Sequence, residues 1–172
     1  MRKCKFDFYC DDLNPFDIIS PMLKSLKIEI HLACIAMLEA RMARLQEAID
    51  QAQQAASDDT KSSAGDKFET SREMIKLEID KNNMQLSQAA TMLKHLHSLS
   101  PSSVLDSVAF GSLVQTNEGI YYFSVGLGKV VLEDKTCYAL SMASPIGRAL
   151  KGRKPGETVE FMGRKVVIEG IS

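Results

Sequence analysis

From Ile28 onward the apolar positions recur in alternating steps of three and four: Ile28, His31, Ile35, Leu38, Met42, Leu45, Ile49, Ala52 and Ala56, with only His31 out of character. Steps of this kind hold one stripe on one side of an α-helix and mark a heptad seam. After a polar interval a second seam keeps the same rhythm through Phe68, Arg72, Ile75, Ile79, Asn82, Leu86, Ala89, Leu93 and Leu96. Two long helices are predicted. If they fold back on each other, one register must serve the whole length. It does: Ile49 meets Ile75, Leu45 meets Ile79, Met42 meets Asn82, Leu38 meets Leu86, Ile35 meets Ala89, His31 meets Leu93 and Ile28 meets Leu96. The expectation is an antiparallel coiled-coil hairpin over 22–99. An arm of about 29 residues, rising about 1.5 Å each, makes a rod of about 40 to 45 Å, which is a reaching device. Asn82 and His31 are polar seam positions of the kind that fix register, and neither needs a catalytic role.

The interval between the seams, 57–67, reads SDDTKSSAGDK and is rich in turn formers, so it is expected to be the hairpin tip. At its far side Asp66 and Glu69 stand three apart, and Asp58 and Asp59 add acid nearby. If Asp66 opens the second helix, both carboxylates lie on one side of it. One reading is a capping box, with Asp66 accepting from the amide of Glu69 and Glu69 reaching back. The other is divalent-metal chemistry, because exposed carboxylates are hard oxygen ligands that suit Mg²⁺. The spacing alone leaves both open.

Pro101 breaks the helical pattern and opens a linker over 100–110. From Gly111 the period becomes strand-like in SLVQT, IYYFSV, TCYALSM, ETVEF and KVVIEGI. Between the third and fourth of these, Pro145 opens a short helix carrying Ile146, Ala149 and Leu150, and Gly152 ends it. The prediction for 111–172 is an α+β module of four or five antiparallel strands and one short helix, with Tyr121, Phe123, Tyr138 and Phe161 in its core.

Composition narrows the chemistry. At 172 residues the chain has room for one long helical element and one small domain, and no large multi-domain enzyme fits. A net charge of −1 gives no global reason for tight binding to nucleic acid, so any such contact must come from local patches. Arg41, Arg44, Arg72, Lys76 and Lys81 are candidates, although Glu73, Glu78 and Asp80 interleave with them as on an ordinary solvated face. Cys4, Cys10, Cys34 and Cys137 match no zinc ribbon, CxxC pair or disulfide framework, which fits a reduced cytoplasmic setting. His95 and His97 point to different sides of a helix, and no metal site is expected in the isolated chain. No apolar run reaches the roughly 20 residues of a membrane span. The first 21 residues differ from the rest, with Asp7, Asp11, Asp12 and Asp17 among Phe6, Phe8, Tyr9 and Phe16, and are expected to be an extension.

Two segments carry a resemblance. SPIGRALKGRKPGETV, Ser144 to Val159, is similar to a characteristic carboxy-terminal stretch of the Gre family of bacterial transcript-cleavage factors, and GDKFE, Gly65 to Glu69, resembles that family's GDLxE tip. The order of hairpin first and β module second is also the family's order, and the likeness spans about Met22 to Ile171. The resemblance implies an FKBP-like carboxy-terminal domain that binds at the rim of the secondary channel of RNA polymerase, with the hairpin reaching toward the catalytic centre. It would place Ser144, Pro145 and Ile146 in the rim-contacting loop and make Asp66 and Glu69 the tip acids. Arg41, Arg44 and Arg72 would be candidates for contact with channel or nascent RNA. In the family the tip acids help to hold a second Mg²⁺ shared with the polymerase, so the chain would have no cofactor and no catalysis of its own, and it is expected to be a monomer.

The sequence departs from the family where Thr70, Ser71 and Arg72 replace the usual Asn, Ala and aromatic after the tip Glu, and where Ala143 stands before Ser144 in place of an acid. Stimulation of cleavage is therefore less directly implied than channel binding, and a channel-occupying regulator without cleavage is the nearest alternative. A prolyl isomerase would need a deep aromatic pocket commonly floored by Trp, and the chain has no Trp. A plain coiled-coil adaptor accounts for the hairpin and leaves SPIGRAL unexplained.

Overall fold

The computed structural model describes residues 15–59, 66–132 and 135–172, with side chains over 22–57, 70, 72–132 and 135–172. Its elements are α1 (Pro15–Asp59), α2 (Asp66–His97), β1 (Leu113–Thr116), β2 (Gly119–Ser124), β3 (Gly128–Leu132), β4 (Lys135–Ser141), α3 (Pro145–Leu150), β5 (Thr158–Phe161) and β6 (Arg164–Ile171). They form two compact units, one of residues 31–100 and one of 1–30 with 101–172. No helix among the described residues is long and apolar enough to cross a membrane.

Burial follows most of the two seams. His31, Leu38 and Ile49 on α1 and Ala89 and Leu96 on α2 are buried, as is Cys34, which lies off the seam. Ile35, Met42, Leu45, Ala52 and Ala56, and Ile75, Ile79, Asn82, Leu86 and Leu93, are half-buried, whereas the seam positions Ile28 and Arg72 are exposed. From Asp59 to Asp66 the chain spans at most about 25 Å, so α2 starts within that distance of the end of α1. Side-chain bonds between residues four apart, such as Gln46 Nε2 to Asp50 Oδ1 at 2.9 Å, dress the solvent face. Lys94, His95 and His97 occupy the last turn of α2, where cations complement the helix dipole. Both helices run further than the tip pattern implied: α1 continues through Asp59 and α2 starts at Asp66, leaving 60–65 between them outside the described residues. At its other end α1 begins at Pro15, inside the segment expected as an extension.

The second unit is an α+β layer built on a six-stranded sheet of order β3-β4-β2-β1-β6-β5. Two sequence expectations need correction here. The strand GKVVL had not been separated from its flanks, and the sheet is mixed, because β2 and β4 run parallel. The cause is a strand that skips a place. After β2 the chain goes out to the edge as β3, and the β3–β4 hairpin then returns β4 into the slot beside β2.

Alternation along β2 sends Tyr121 and Phe123 to one face and Tyr122 and Ser124 to the other. The first face carries the core under α3: Val108, Val114, Phe123, Ile146, Leu150, Val166, Ile168 and Ile171. The opposite face is buried too, at Leu113, Tyr122, Cys137 and Ala139. This revises the expected aromatic core. Tyr122 is fully buried, whereas Tyr138, at 40% exposure, is not a core residue. The amino-terminal turns of α1 belong to this unit, with Leu23, Leu26, Lys27 and Ile30 buried.

Candidate functional site

The turn from β4 into α3 is built around two serines, Ser141 and Ser144, and a glycine. Ser144, with extended backbone, caps α3: its Oγ accepts from the Gly147 amide at 3.1 Å, and Pro145 takes the first helical position, where no amide is needed. Ser141 accepts from the Ala143 amide through Oγ at 3.1 Å and from the Ser144 amide through its carbonyl at 2.9 Å. Gly147 makes this turn possible. A Cβ there would lie 2.8 Å from the Ser141 carbonyl oxygen and 2.9 Å from that of Met142, closer than two such atoms approach. Arg148 closes the loop by donating from Nε to the Ala143 carbonyl at 2.9 Å.

Ser144, Pro145 and Ile146 sit on the edge of a cleft of about 430 Å³ that also takes in Tyr121, Tyr138, Leu140, Phe161 and Met162. A neighbouring hollow of about 370 Å³ shares Glu118, Tyr121, Ile146, Phe161 and Met162 and extends to Arg164 and Val166. Register explains the convergence. Tyr121 and Tyr138 are direct partners across β2 and β4, with ring centroids 6.2 Å apart, and Tyr121 stacks on Phe123 at 6.3 Å. On the other side Phe161 pairs with Arg164, which closes β5 and β6 through a two-residue turn of Met162 and Gly163, both at positive φ. Glu118 bridges Arg164 at 3.2 Å; with Arg164 largely solvated, such a pair contributes under about 1 kcal/mol. Burial, reinforced by Glu118, raises the Tyr121 hydroxyl pKa, so it stays a neutral donor in the cleft. Apolar walls with a few polar groups are suited to gripping a partner.

The start of α2 lies in the other compact unit. Asp66 and Glu69 are the first and fourth residues of α2; their side chains lie outside the described residues, as does the tip segment between the helices. Arg41, Arg44 and Arg72 are exposed along the helices, Arg44 donating from Nε back to the Ala40 carbonyl at 3.2 Å. Among the described residues no three His, Cys, Asp or Glu side chains gather into a group that could hold a metal. His31 is buried in the seam, and His95 and His97 are exposed.

Sequence reasoning passed over four residues. Lys27 is fully buried and donates from Nζ to the Ser103 carbonyl at 2.7 Å; burial, with Lys24 nearby, depresses its pKa to about 8. It lay unmarked between two apolar positions. Glu118, Met162 and Arg164 line the cleft from turns whose approach depends on sheet order. No protein-family model and no curated protein matches the chain.

Proposed function

We propose that this chain is a Gre-type accessory factor that docks on bacterial RNA polymerase through an FKBP-like carboxy-terminal domain, inserts its helix pair into the secondary channel, and there promotes hydrolysis of backtracked RNA. The observation that carries the reading is the placement of SPIGRAL. Ser144, Pro145 and Ile146 form the wall of an apolar cleft instead of being spent wholly on the core. The helix pair supports it from the other end, because α2 opens at Asp66 and brings Asp66 and Glu69 into its first turn. An arm of about 40 Å is long enough to carry carboxylates from a docking site to a distant catalytic centre.

The chemistry would belong to the polymerase. Two divalent ions about 4 Å apart stabilise the attacking and leaving oxygens of a phosphodiester, and a loosely held second ion limits the rate until further carboxylates arrive. Asp66 and Glu69 would supply those carboxylates, with Mg²⁺ shared and none resident in the free chain. Arg41, Arg44 and Arg72 would contact the channel or nascent RNA.

The test is transcript cleavage in a stalled, backtracked elongation complex with and without the protein. Shortened transcripts that regain extension support the cleavage role. Binding without shortening moves the assignment to a channel-occupying regulator, the reading that Thr70, Ser71 and Arg72 beside the tip acid would favour. Absence of binding to polymerase overturns both.

A further inference from the structure

Glu118 stands on a turn between β1 and β2 that is tied down from two sides. Thr116 Oγ1 accepts from the Glu118 and Gly119 amides, each at 3.2 Å, and donates to the Gly119 carbonyl at 2.9 Å. Asn117 is bound to β6 by its side chain, with Nδ2 donating to the Lys165 carbonyl at 3.0 Å and Oδ1 accepting from the Val167 amide at 2.8 Å. A carboxylate on such a turn is aimed before a partner arrives, which cuts the cost of ordering it on binding. The Glu118 side chain is only 33% exposed. Among the described residues lining the larger cleft it is the one charged side chain, and none is basic.

The remaining walls suit a cation. Tyr121, Tyr138 and Phe161 bring aromatic rings to the cleft and Met162 a thioether. The face of an aromatic ring attracts a cation within about 6 Å of its centre. Tyr138 and Met162 are both exposed, so a ligand can reach them. A guanidinium answers both parts of the site, because it is flat enough to lie on a ring, its fork matches a carboxylate, and it sheds water more readily than an ammonium. The chain itself displays the attraction: Arg164, on the edge of the neighbouring hollow, donates from Nη1 to Glu118 Oε2 at 3.2 Å. With Arg164 largely solvated, that pair is weak and readily exchanged. A volume of about 430 Å³ lies in the small-ligand range of about 300 to 1,000 Å³, which admits one long side chain with its neighbours.

We propose that the cleft recognises an arginine side chain of a protein partner, its guanidinium on Glu118 and the ring of Tyr138 and its methylene stem against Phe161 and Met162. In the free chain Arg164 holds the acid, and the incoming arginine displaces it. Which protein presents that arginine rests on the polymerase reading above; the recognition is a property of the cleft.

The test needs no polymerase. The full chain is labelled at its methionine methyls for NMR, with the Met162 signal identified by Met162→Leu and Met74 and Met84, in the other compact unit, as references. The probe is the peptide acetyl-Ala-Leu-Arg-Leu-Ala-amide, and its control carries citrulline, which has the shape of arginine without the charge. The arginine peptide should shift Met162 saturably in the millimolar range and leave Met74 and Met84 in place. Citrulline should weaken binding about ten-fold or more, because the charge-assisted bond is lost, and E118Q should do the same to the arginine peptide. R164Q should instead tighten binding about two-fold, as expected if the Arg164 pair is formed about half of the time. Both variants break the same ion pair, so damage to the fold would move them in the same direction. Equal affinity for the arginine and citrulline peptides overturns the proposal, as does weaker binding in R164Q, which would mark the cleft as a site for an acid. So does a Met162 signal unmoved up to about 10 mM arginine peptide. Polymerase docking without arginine binding would strike this inference alone, and arginine binding without polymerase docking would strike the polymerase reading alone.

Discussion

Lys27→Met is the most informative single substitution outside the site. Lys27 has no solvent exposure, and among the described residues no carboxylate forms an ion pair with it. Its contact is the Ser103 carbonyl, which offers a dipole but no countercharge. Burial lowers its pKa from 10.5 to about 8, so holding the protonated form costs up to about 3 kcal/mol at neutral pH, at about 1.4 kcal/mol per unit. Met has similar length and no charge; it removes that cost and takes one hydrogen bond from the Ser103 carbonyl, a loss of about 1 kcal/mol. The expected result at pH 7 is a net stabilisation of about 2 kcal/mol, read as a higher urea midpoint with unchanged slope. The pH profile gives a second signature. Below pH 8 Lys27 is protonated in both states and adds no slope. Between about 8 and 10.5 the folded state has released the proton and the unfolded state still holds it, so wild-type stability rises with pH relative to the variant. The wild type should therefore recover most of its deficit by pH 10.5. A variant that is less stable at pH 7, or a difference that stays flat from pH 8 to 10.5, would refute the reasoning.

Gly147→Ala should destabilise the carboxy-terminal unit by about 1 to 3 kcal/mol, because the added methyl meets two carbonyl oxygens and the capping Ser144 Oγ; urea unfolding checks it, and a change below about 0.5 kcal/mol counts against the close-approach argument. Cys34 and Cys137 are both buried and not in a disulfide, and burial pushes Cys137 up to about 11. At pH 8 the native Cys137 should be alkylated at least about ninety-fold more slowly than an unperturbed thiol, and site-resolved mass spectrometry should show both cysteines protected until urea is added. Under the proposed function, replacing Asp66 and Glu69 with Ala should abolish stimulated RNA cleavage and leave polymerase affinity within about two-fold, since in that reading these acids act on the reaction and not on docking; unchanged cleavage would exclude the tip-acid mechanism.

How far the fold could be read depended on whether its information was local. The seams of α1 and α2 were legible because each residue's burial follows from its place in a repeat: Leu38, Ile49 and Ala89 were assigned inward by period alone, and inward they are. Pro145 and Gly152 are legible as helix punctuation for the same reason, whereas the Ser144 cap is seen only in the structure. The parallel pairing of β2 with β4 was not, because neither strand's sequence records which neighbour the chain has skipped. β3 did carry a signal in Val130, Val131 and Leu132, but it begins at Gly128, three residues after a longer apolar run, and reads as the frayed end of that run. Tyr121, Tyr122 and Phe123 show the limit from another side. With both faces of the central sheet buried, alternation assigns the faces and cannot say which ring is covered more deeply.

The site divides along the same line, and the division bears on how its two halves work. A docking surface is a product of register: Tyr138 reaches the cleft because β4 lies beside β2, and Phe161 and Met162 reach it because the β5–β6 turn folds toward α3. Pairs of this kind cannot be found by spacing, and single changes in them act by altering shape. The carboxylates at Asp66 and Glu69 are the reverse case, set three apart on one helix, readable at once and indifferent to sheet order. If binding and chemistry are separated in this way, substitutions in the two groups should combine additively. Under the proposed function Met162→Ala would weaken polymerase affinity, Glu69→Ala would slow cleavage at saturation, and the double variant would show both losses undiminished, as expected of independent sites in separate compact units. A double variant no worse than either single change would mean that cleft and tip act as one unit.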